Sequence, residues 1–218
     1  MEGLVLRREP LRLLCIGAHS DDIEIGLGGT ILQLIESGTK LSVHWCVASA
    51  RGQRSGEAEA SARAFLQGVP DRRIELANFD DSYFPAQSRA IKEWLARIRS
   101  ECTPDIVFTH SRDDAHQDHR QLCELTWNLF RDHLILEYEI PKWDGDLGRP
   151  NLYMPLSGKT LERKIALLME HFATQRSKDW FDAETFTGIA RLRGMECRAP
   201  EHFAEAFTMR KGTLVLAP

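Results

Sequence analysis

Short apolar runs alternate with amphipathic stretches along this chain. Residues 11–18 form an apolar run broken only by Arg12, which predicts a strand buried on both faces. Gly26-Leu27-Gly28-Gly29-Thr30 then opens a predicted helix over Ile31–Ser37, closed by Gly38. Leu41–Val47, rich in β-branched and aromatic residues, reads as the second strand. A polar loop, Ser49–Gly56, leads into an Ala/Glu-rich helix over 57–67 that Gly68 and Pro70 stop. Beyond it the pattern predicts a short strand at Arg73–Leu76, an amphipathic helix over 87–101, a buried strand at Asp105–His110 and a helix from about 119 to 133. Leu134–Ile140 and 151–154 read as strands, 158–173 and 182–193 as helices, and Thr208–Leu216 as a final strand. Such alternation implies an α/β fold, a mostly parallel central sheet with helices on both faces. No repeat, low-complexity tract or long linker divides residues 1–218, so one domain is expected.

Composition narrows the function classes. A net charge of -4 and a pI of about 6.1 argue against nucleic acid or an anionic membrane surface as partner. Mean hydropathy is -0.33 and no apolar run approaches the ~20 residues of a membrane span. The first ten residues lack the apolar core and cleavage pattern of a signal peptide. Five cysteines, an odd number without C-x-x-C spacing, fit a reducing cytoplasm; Cys15 and Cys46 sit in apolar runs and read as core.

The candidate chemistry sits at two strand ends. After the first strand comes His19-Ser20-Asp21-Asp22-Ile23-Glu24. After the strand at 105–110 comes Ser111-Arg112-Asp113-Asp114-Ala115-His116-Gln117-Asp118-His119. His116 and His119, three apart at a helix start, can project from one face. A His-Asp pair after a strand is more often a turn or cap than a ligand, and His-x-x-His alone is weak. Two clusters at one sheet edge are a stronger signal, because open α/β sheets place their sites there. Catalytic zinc takes three protein ligands and keeps a position for water, and two histidines and one carboxylate from this pool suffice. The remaining carboxylate and imidazole supply a base and an acid for hydrolysis. His44, His133, His171 and His202 lie outside the clusters and read as structural or surface residues. The Gly26/Gly28/Gly29 cluster does not complete a dinucleotide fingerprint, since the third glycine falls at Ile31 and Asp21, Asp22 and Glu24 would face the pyrophosphate. Close helix–strand packing is the better reading of these glycines.

Ala18-His19-Ser20-Asp21-Asp22-Ile23-Glu24 with Gly26–Thr30, together with His116-Gln117-Asp118-His119, resembles the PIG-L/LmbE-like zinc-dependent N-acetylglucosaminyl deacetylases. Ser20 and Gln117 stand where the usual A-H-P-D-D and H-P-D-H motifs carry proline, and neither change removes a functional side chain. The likeness extends to the Arg51-Gly52 loop before the Glu57/Glu59 helix and to Glu205-Ala206-Phe207. The resemblance implies a Rossmann-like three-layer fold and one Zn²⁺ per chain held by His19, Asp22 and His119, with other divalent metals able to replace it. It makes Asp21 the general base, His116 the acid and oxyanion partner, and Asp118 the residue that orients His116 and favours its charged form. Some relatives carry a tyrosine where this chain has Asp114. Asp114 or Asp113 then holds a substrate hydroxyl or His116, or merely caps the following helix.

For the substrate, the resemblance implies a small amino sugar, an N-acetylglucosamine-type molecule or conjugate that loses its acetyl group. A zinc amidase cutting another acyl amide, such as a thiol conjugate or acylated antibiotic, is the alternative, and a non-catalytic sugar- or metal-binding protein a third. Arg51 and Arg54, on a loop after the second strand, are candidates for sugar hydroxyls or a phosphate-bearing aglycone. Tyr138, Trp143 and Tyr153 among Asp144, Asp146 and Arg149 have the make-up of a sugar pocket or of a loop pinned by aromatics. Relatives assemble in several forms, so homo-oligomers are compatible with the sequence without a number being set.

Overall fold

The computed structural model describes residues 3–4, 6 and 8–213. A seven-stranded sheet runs through it in the order β3-β2-β1-β4-β5-β7-β6. The strands are β1 (Leu11–His19), β2 (Leu41–Ser49), β3 (Asp71–Leu76), β4 (Ile106–His110), β5 (Leu134–Tyr138), β6 (Leu152–Leu156) and β7 (Phe203–Met209). The first five pair in parallel; β7 runs antiparallel to both β5 and β6, which gives the mostly parallel sheet the sequence predicts.

The continuous apolar runs follow from burial on both faces. Leu13 and Cys15 of β1, Trp45 of β2, Phe108 of β4 and Tyr138 of β5 face one core, packed by α1 (Asp22–Glu36), α2 (Gln53–Phe65), α5 (Gly158–His171) and α6 (Ala183–Cys197). Leu14, Ile16, Cys46, Val107 and Ile135 point the other way, onto α3 (Ser88–Glu101) and α4 (Gln117–Leu129). All five cysteines are free, and Cys15 and Cys46 are core residues as read from sequence. No helix among the described residues is long and apolar enough to cross a membrane.

Two elements differ from the sequence reading in an instructive way. The first helix begins nine residues before the predicted Ile31, at Asp22, with the glycines inside it. They are there for close packing: a Cβ on Gly26 would lie 2.2 Å from the Tyr138 ring, and one on Gly28 2.5 Å from Phe65. The final strand is Phe203–Met209, not Thr208–Leu216; residues 210–213 are not strand, and 214–216 lie outside the described residues. Glu205 interrupts the apolar pattern of this strand yet is buried, because its carboxylate is fully engaged. It accepts from Gly29 N–H (2.8 Å), Thr30 N–H (2.6 Å) and Thr30 Oγ1 (2.7 Å), and pairs with the buried Lys164 Nζ at 2.7 Å. Lys164 Nζ also donates to the Ile25 carbonyl at 2.6 Å, so β7 and α5 grip the same turn of α1.

Removing one partner of a buried pair strands the other charge. Glu205→Ala is therefore expected to lower unfolding free energy in urea by about 3–5 kcal/mol. A loss under about 1 kcal/mol, the scale of an exposed pair, would show that the network does not fix α1.

Candidate metal centre

The order of the parallel strands reverses between β1 and β4, and the crevice beyond the carboxyl ends of those two strands is where such sheets place ligands. His19 is the last residue of β1 and Asp22 the first of α1. Asp21 is the N-cap residue of α1 but makes no side-chain cap bond, which leaves its carboxylate to other partners. On the neighbouring strand β4 ends at His110, and the loop 111–115 leads to His116, the N-cap of α4, with His119 in the first turn. The His116 and His119 rings stack with centroids 4.6 Å apart.

Three ligand-type atoms converge. His19 Nδ1 lies 3.1 Å from His119 Nε2 and 3.4 Å from Asp22 Oδ2, and His119 Nε2 lies 3.5 Å from that oxygen. With metal–ligand bonds of ~2.0–2.1 Å, a tetrahedral site spaces its ligand atoms about 3.3–3.4 Å apart, so the triangle suits a zinc-type cation. The opposite ring nitrogens carry the partners that fix ligating histidines. His119 Nδ1 meets Asp114 Oδ2 at 2.9 Å, while His19 Nε2 meets Asp81 Oδ1 at 3.2 Å and Asp118 Oδ2 at 3.3 Å. The same corner contains other potential sets, His19/His116/His119, Asp22/His110/His119 and His19/Asp81/Asp118. The first triangle has a carboxylate on the far nitrogen of each of its histidines, whereas in those sets His110 Nε2 and His116 Nδ1 accept backbone N–H groups and the Asp118 carboxylate is held by Ser82 and Phe84.

Electrostatics mark the corner as one that calls for positive charge. Burial disfavours a charged His19, yet hydrogen bonds to Asp118, Asp22 and Asp81 outweigh it and hold the ring's pKa well above the usual histidine value. Burial also works against ionised Asp22, but His119, His110 and His19 keep its carboxyl well below the usual range. His119 is pulled down to about 4 by burial and by His110. Asp21 moves up, through burial and the repulsion of Asp22, against the pull of Arg54, His19 and Lys178.

The residues singled out by sequence do not all land where expected. His19, Asp21, Asp22, His116 and His119 line one pocket, joined there by Arg54. Arg54 Nη2 donates to Asp21 Oδ1 at 3.0 Å, so it holds the carboxylate expected to act as base. Arg51 points away, to the Asn78 carbonyl (2.7 Å) and to Asp80, and is not in the pocket wall. Asp114 is buried under His119, where it also accepts the His116 N–H at 2.8 Å and pairs with Lys142 at 3.0 Å; it is not placed to meet a sugar. The Asp118 carboxylate turns to His19 and to the backbone N–H groups of Ser82 (2.6 Å) and Phe84 (3.1 Å) rather than to His116. It is the Asp118 backbone N–H that donates to His116 Nδ1, at 3.2 Å. Burial and His19 lower the His116 pKa, with Asp118, Asp22 and Asp114 opposing. Of the aromatic stretch, Tyr138 is core and donates to the Ile16 carbonyl, and Tyr153 bonds to Pro150 and Glu196; Trp143 is exposed and approaches Trp180, itself in the pocket wall.

Sequence reasoning missed His110, Asp81, Lys142, Lys178 and Trp180. His110 is fully buried, accepts Ala18 N–H at 2.9 Å and stacks on His119 at 3.8 Å, setting that ring's plane. Its signal was available: like His19, it is the last residue of a buried strand before a polar loop. The other four come from loops remote in sequence, which only tertiary structure brings in.

The PIG-L sequence profile, described as GlcNAc-PI de-N-acetylase, matches residues 14–130, just over half of the chain. A diacetylchitobiose deacetylase of Thermococcus kodakarensis is 32% identical over 123 residues, 50% of this chain and 45% of that protein, so the match spans under half of the relative's length. The crystal structure of an N,N′-diacetylchitobiose deacetylase from Pyrococcus horikoshii superposes with a TM-score of 0.67 at 23% identity, covering 91% of this chain and 83% of that one. A 4-carboxy-2-hydroxymuconate hydratase of Pseudomonas putida KT2440 superposes as well, with a TM-score of 0.69 at 18% identity over 95% and 99% of the two chains. The two structures share this fold while their names carry different reactions, so the fold leaves the chemistry to the site. The profile match takes in both the His19–Glu24 turn and the His116–His119 helix start, and on that match the chain belongs to the PIG-L family.

Proposed function

We propose that this protein is a metal-dependent N-deacetylase that hydrolyses the acetamide of an N-acetylglucosamine-type sugar or its conjugate, with zinc as its metal. The observation that carries this reading is the triangle of His19 Nδ1, Asp22 Oδ2 and His119 Nε2, with the Asp21 carboxylate and the His116 imidazole in the same pocket and not among its corners. A zinc-type cation held by those three atoms supplies Lewis acidity, lowering the pKa of water towards ~7 and polarising an acetamide oxygen.

The remaining steps belong to side chains of this chain. Asp21 takes the proton of the attacking water, its carboxylate held in place by Arg54. His116 Nδ1 accepts the Asp118 backbone N–H, which directs the ring's own proton to Nε2. From there it donates a hydrogen bond to the developing oxyanion, and the proton that Asp21 took from the water passes to the amine as the C–N bond breaks. Acetate and a free amino sugar leave. A neutral ring with its proton on Nε2 satisfies this geometry better than the imidazolium expected from sequence, whose Nδ1 would carry a proton facing that N–H.

The test is acetate release from a panel of N-acetylglucosamine derivatives by protein of measured metal content. About one zinc per chain, acetate from at least one sugar, and loss of both on chelation are expected. Asp21→Asn should retain its metal and lose ~10²–10⁴-fold in turnover. Metal without acetate from any sugar would move the reading to another acyl amide, and protein that takes up no zinc on reconstitution would overturn it.

The carboxylate behind His119 gives a second prediction. Asp114→Asn is expected to weaken zinc binding ~10–100-fold in competition with a chromogenic chelator, as loss of such an outer partner does. Unchanged affinity would remove His119 Nε2 from the proposed ligand set.

A further inference from the structure

The segment between α5 and α6 lines the same pocket as the imidazoles. Its backbone is tightly turned: Lys178 N–H donates to the Gln175 carbonyl at 2.9 Å and Phe181 N–H to the Lys178 carbonyl at 3.0 Å. Phe181 is buried against Phe172 and Phe186, with ring centroids 6.3 and 5.2 Å away, so the segment is anchored in the core. That anchoring leaves Lys178 and Trp180 in the wall of the pocket that holds His19, Asp21 and His116. Trp143 braces the segment from the 141–150 stretch. Its indole N–H donates to Asp179 Oδ1 at 2.9 Å, and its ring stands edge-on to Trp180 at 6.2 Å.

Three cations line the pocket, and two are already engaged. Arg54 pairs with Asp21 at 3.0 Å and Asp81 at 3.5 Å, while Lys142 pairs with Asp114 at 3.0 Å and Asp146 at 2.5 Å. Lys178 pairs with no carboxylate among the described residues; its Nζ lies 5.3 Å from the centroid of the Trp180 ring. Of the three, Lys178 is therefore the cation left for a ligand. An ammonium beside an indole ring in the pocket wall is suited to an anion carried on a ring.

We propose that Lys178 and Trp180 form a subsite for an anionic substituent of the amino sugar, a phosphate or a carboxylate. Lys178 pairs with the anion, and Trp180 packs against the carbon skeleton that carries it. This rests on the deacetylase reading for what occupies the metal end of the pocket, and it selects charged conjugates over neutral glycosides.

The test measures binding rather than turnover. Metal-loaded wild type, Lys178→Ala, Lys178→Arg and Trp180→Ala are titrated by calorimetry with glucosamine 1-phosphate, carboxymethyl glucosaminide and methyl glucosaminide, which have no acetyl group to lose. The wild type should bind at least one anionic probe more tightly than the methyl glycoside, and the stronger of the two identifies the natural anion as phosphate or carboxylate. Lys178→Ala should weaken that probe about tenfold, the scale of one charge-assisted hydrogen bond, and the methyl glycoside less than about twofold. Lys178→Arg should retain most of the preference, and Trp180→Ala should weaken all three probes. Equal affinity of wild type for charged and neutral probes, or a preference that survives Lys178→Ala, would overturn the subsite. A charge preference lost with Lys178, in a protein that releases no acetate from any sugar, would uphold the subsite and overturn the deacetylase reading alone.

Discussion

A buried carboxylate must be met by hydrogen bonds or positive charge, and Asp22 Oδ2 is met from four directions. The His19 N–H donates to it at 2.6 Å, and the imidazoles of His110, His19 and His119 lie 3.1, 3.4 and 3.5 Å from it. Those groups come from β1, β4 and α4, so keeping one oxygen ionised inside the protein fixes three elements relative to each other. An N-terminal position on α1 helps, since the first turn of a helix favours negative charge. Around this oxygen Asp114 binds the far nitrogen of His119, and Asp118 and Asp81 that of His19, and the result is a shell in which imidazoles alternate with carboxylates. Such a shell is costly to assemble without a cation at its centre, and this is the physical sense in which the corner calls for a metal.

The rest of the fold holds that shell rigid. Strands β1 and β4 pair in parallel at Leu13–Ile106 through Cys15–Phe108, which brings His19 and His110 to the same edge. Tyr138 of β5 fills the space that Gly26 leaves open and donates to the Ile16 carbonyl, locking α1 down beside the site. One turn further along α1, Glu205 and Lys164 hold the stretch from Ile25 to Thr30. One helix thus carries a proposed ligand at its first residue and is clamped within its next two turns by a core aromatic and by a buried ion pair. Positional tolerance at a metal site is a few tenths of an ångström, and clamping of this kind supplies it.

What could be read from sequence follows from what is local. Strand runs, helix periodicity and the two strand-end motifs depend on neighbours in the chain, and apart from the start of α1 and the last strand they appear in the structure within a few residues. Buried charge was read poorly because its compensation is remote. Glu205 is buried in β7, and nothing near it in sequence announces Lys164, 41 residues away. Sequence reads Asp114 as holding a substrate hydroxyl or His116, or as capping the next helix; it does accept the His116 N–H, but its other oxygen is committed to His119 in the first turn of α4. Arg51 and Arg54 are equivalent by composition and loop position. Only the start of α2 at Gln53 separates them, since it places Arg54 in the first turn, facing Asp21, and leaves Arg51 on the loop, bonded to Asn78.

Asp118 shows how far residue identity alone can carry a role. The resemblance assigns it to His116, and it does reach that ring, but through its backbone N–H, which any residue other than proline would supply. Its carboxylate instead takes His19 Nε2 and the N–H groups of Ser82 and Phe84, tying the loop after β3 to the end of β1. One residue therefore sets the acceptor side of the proposed oxyanion partner through its main chain and orients a proposed ligand through its side chain. The two imidazoles cannot be tuned independently, because any shift of the α4 N-terminus moves both hydrogen bonds at once. Loss of the carboxylate should then register first in the metal centre and only secondarily in proton transfer, the reverse of what an acid-orienting aspartate implies.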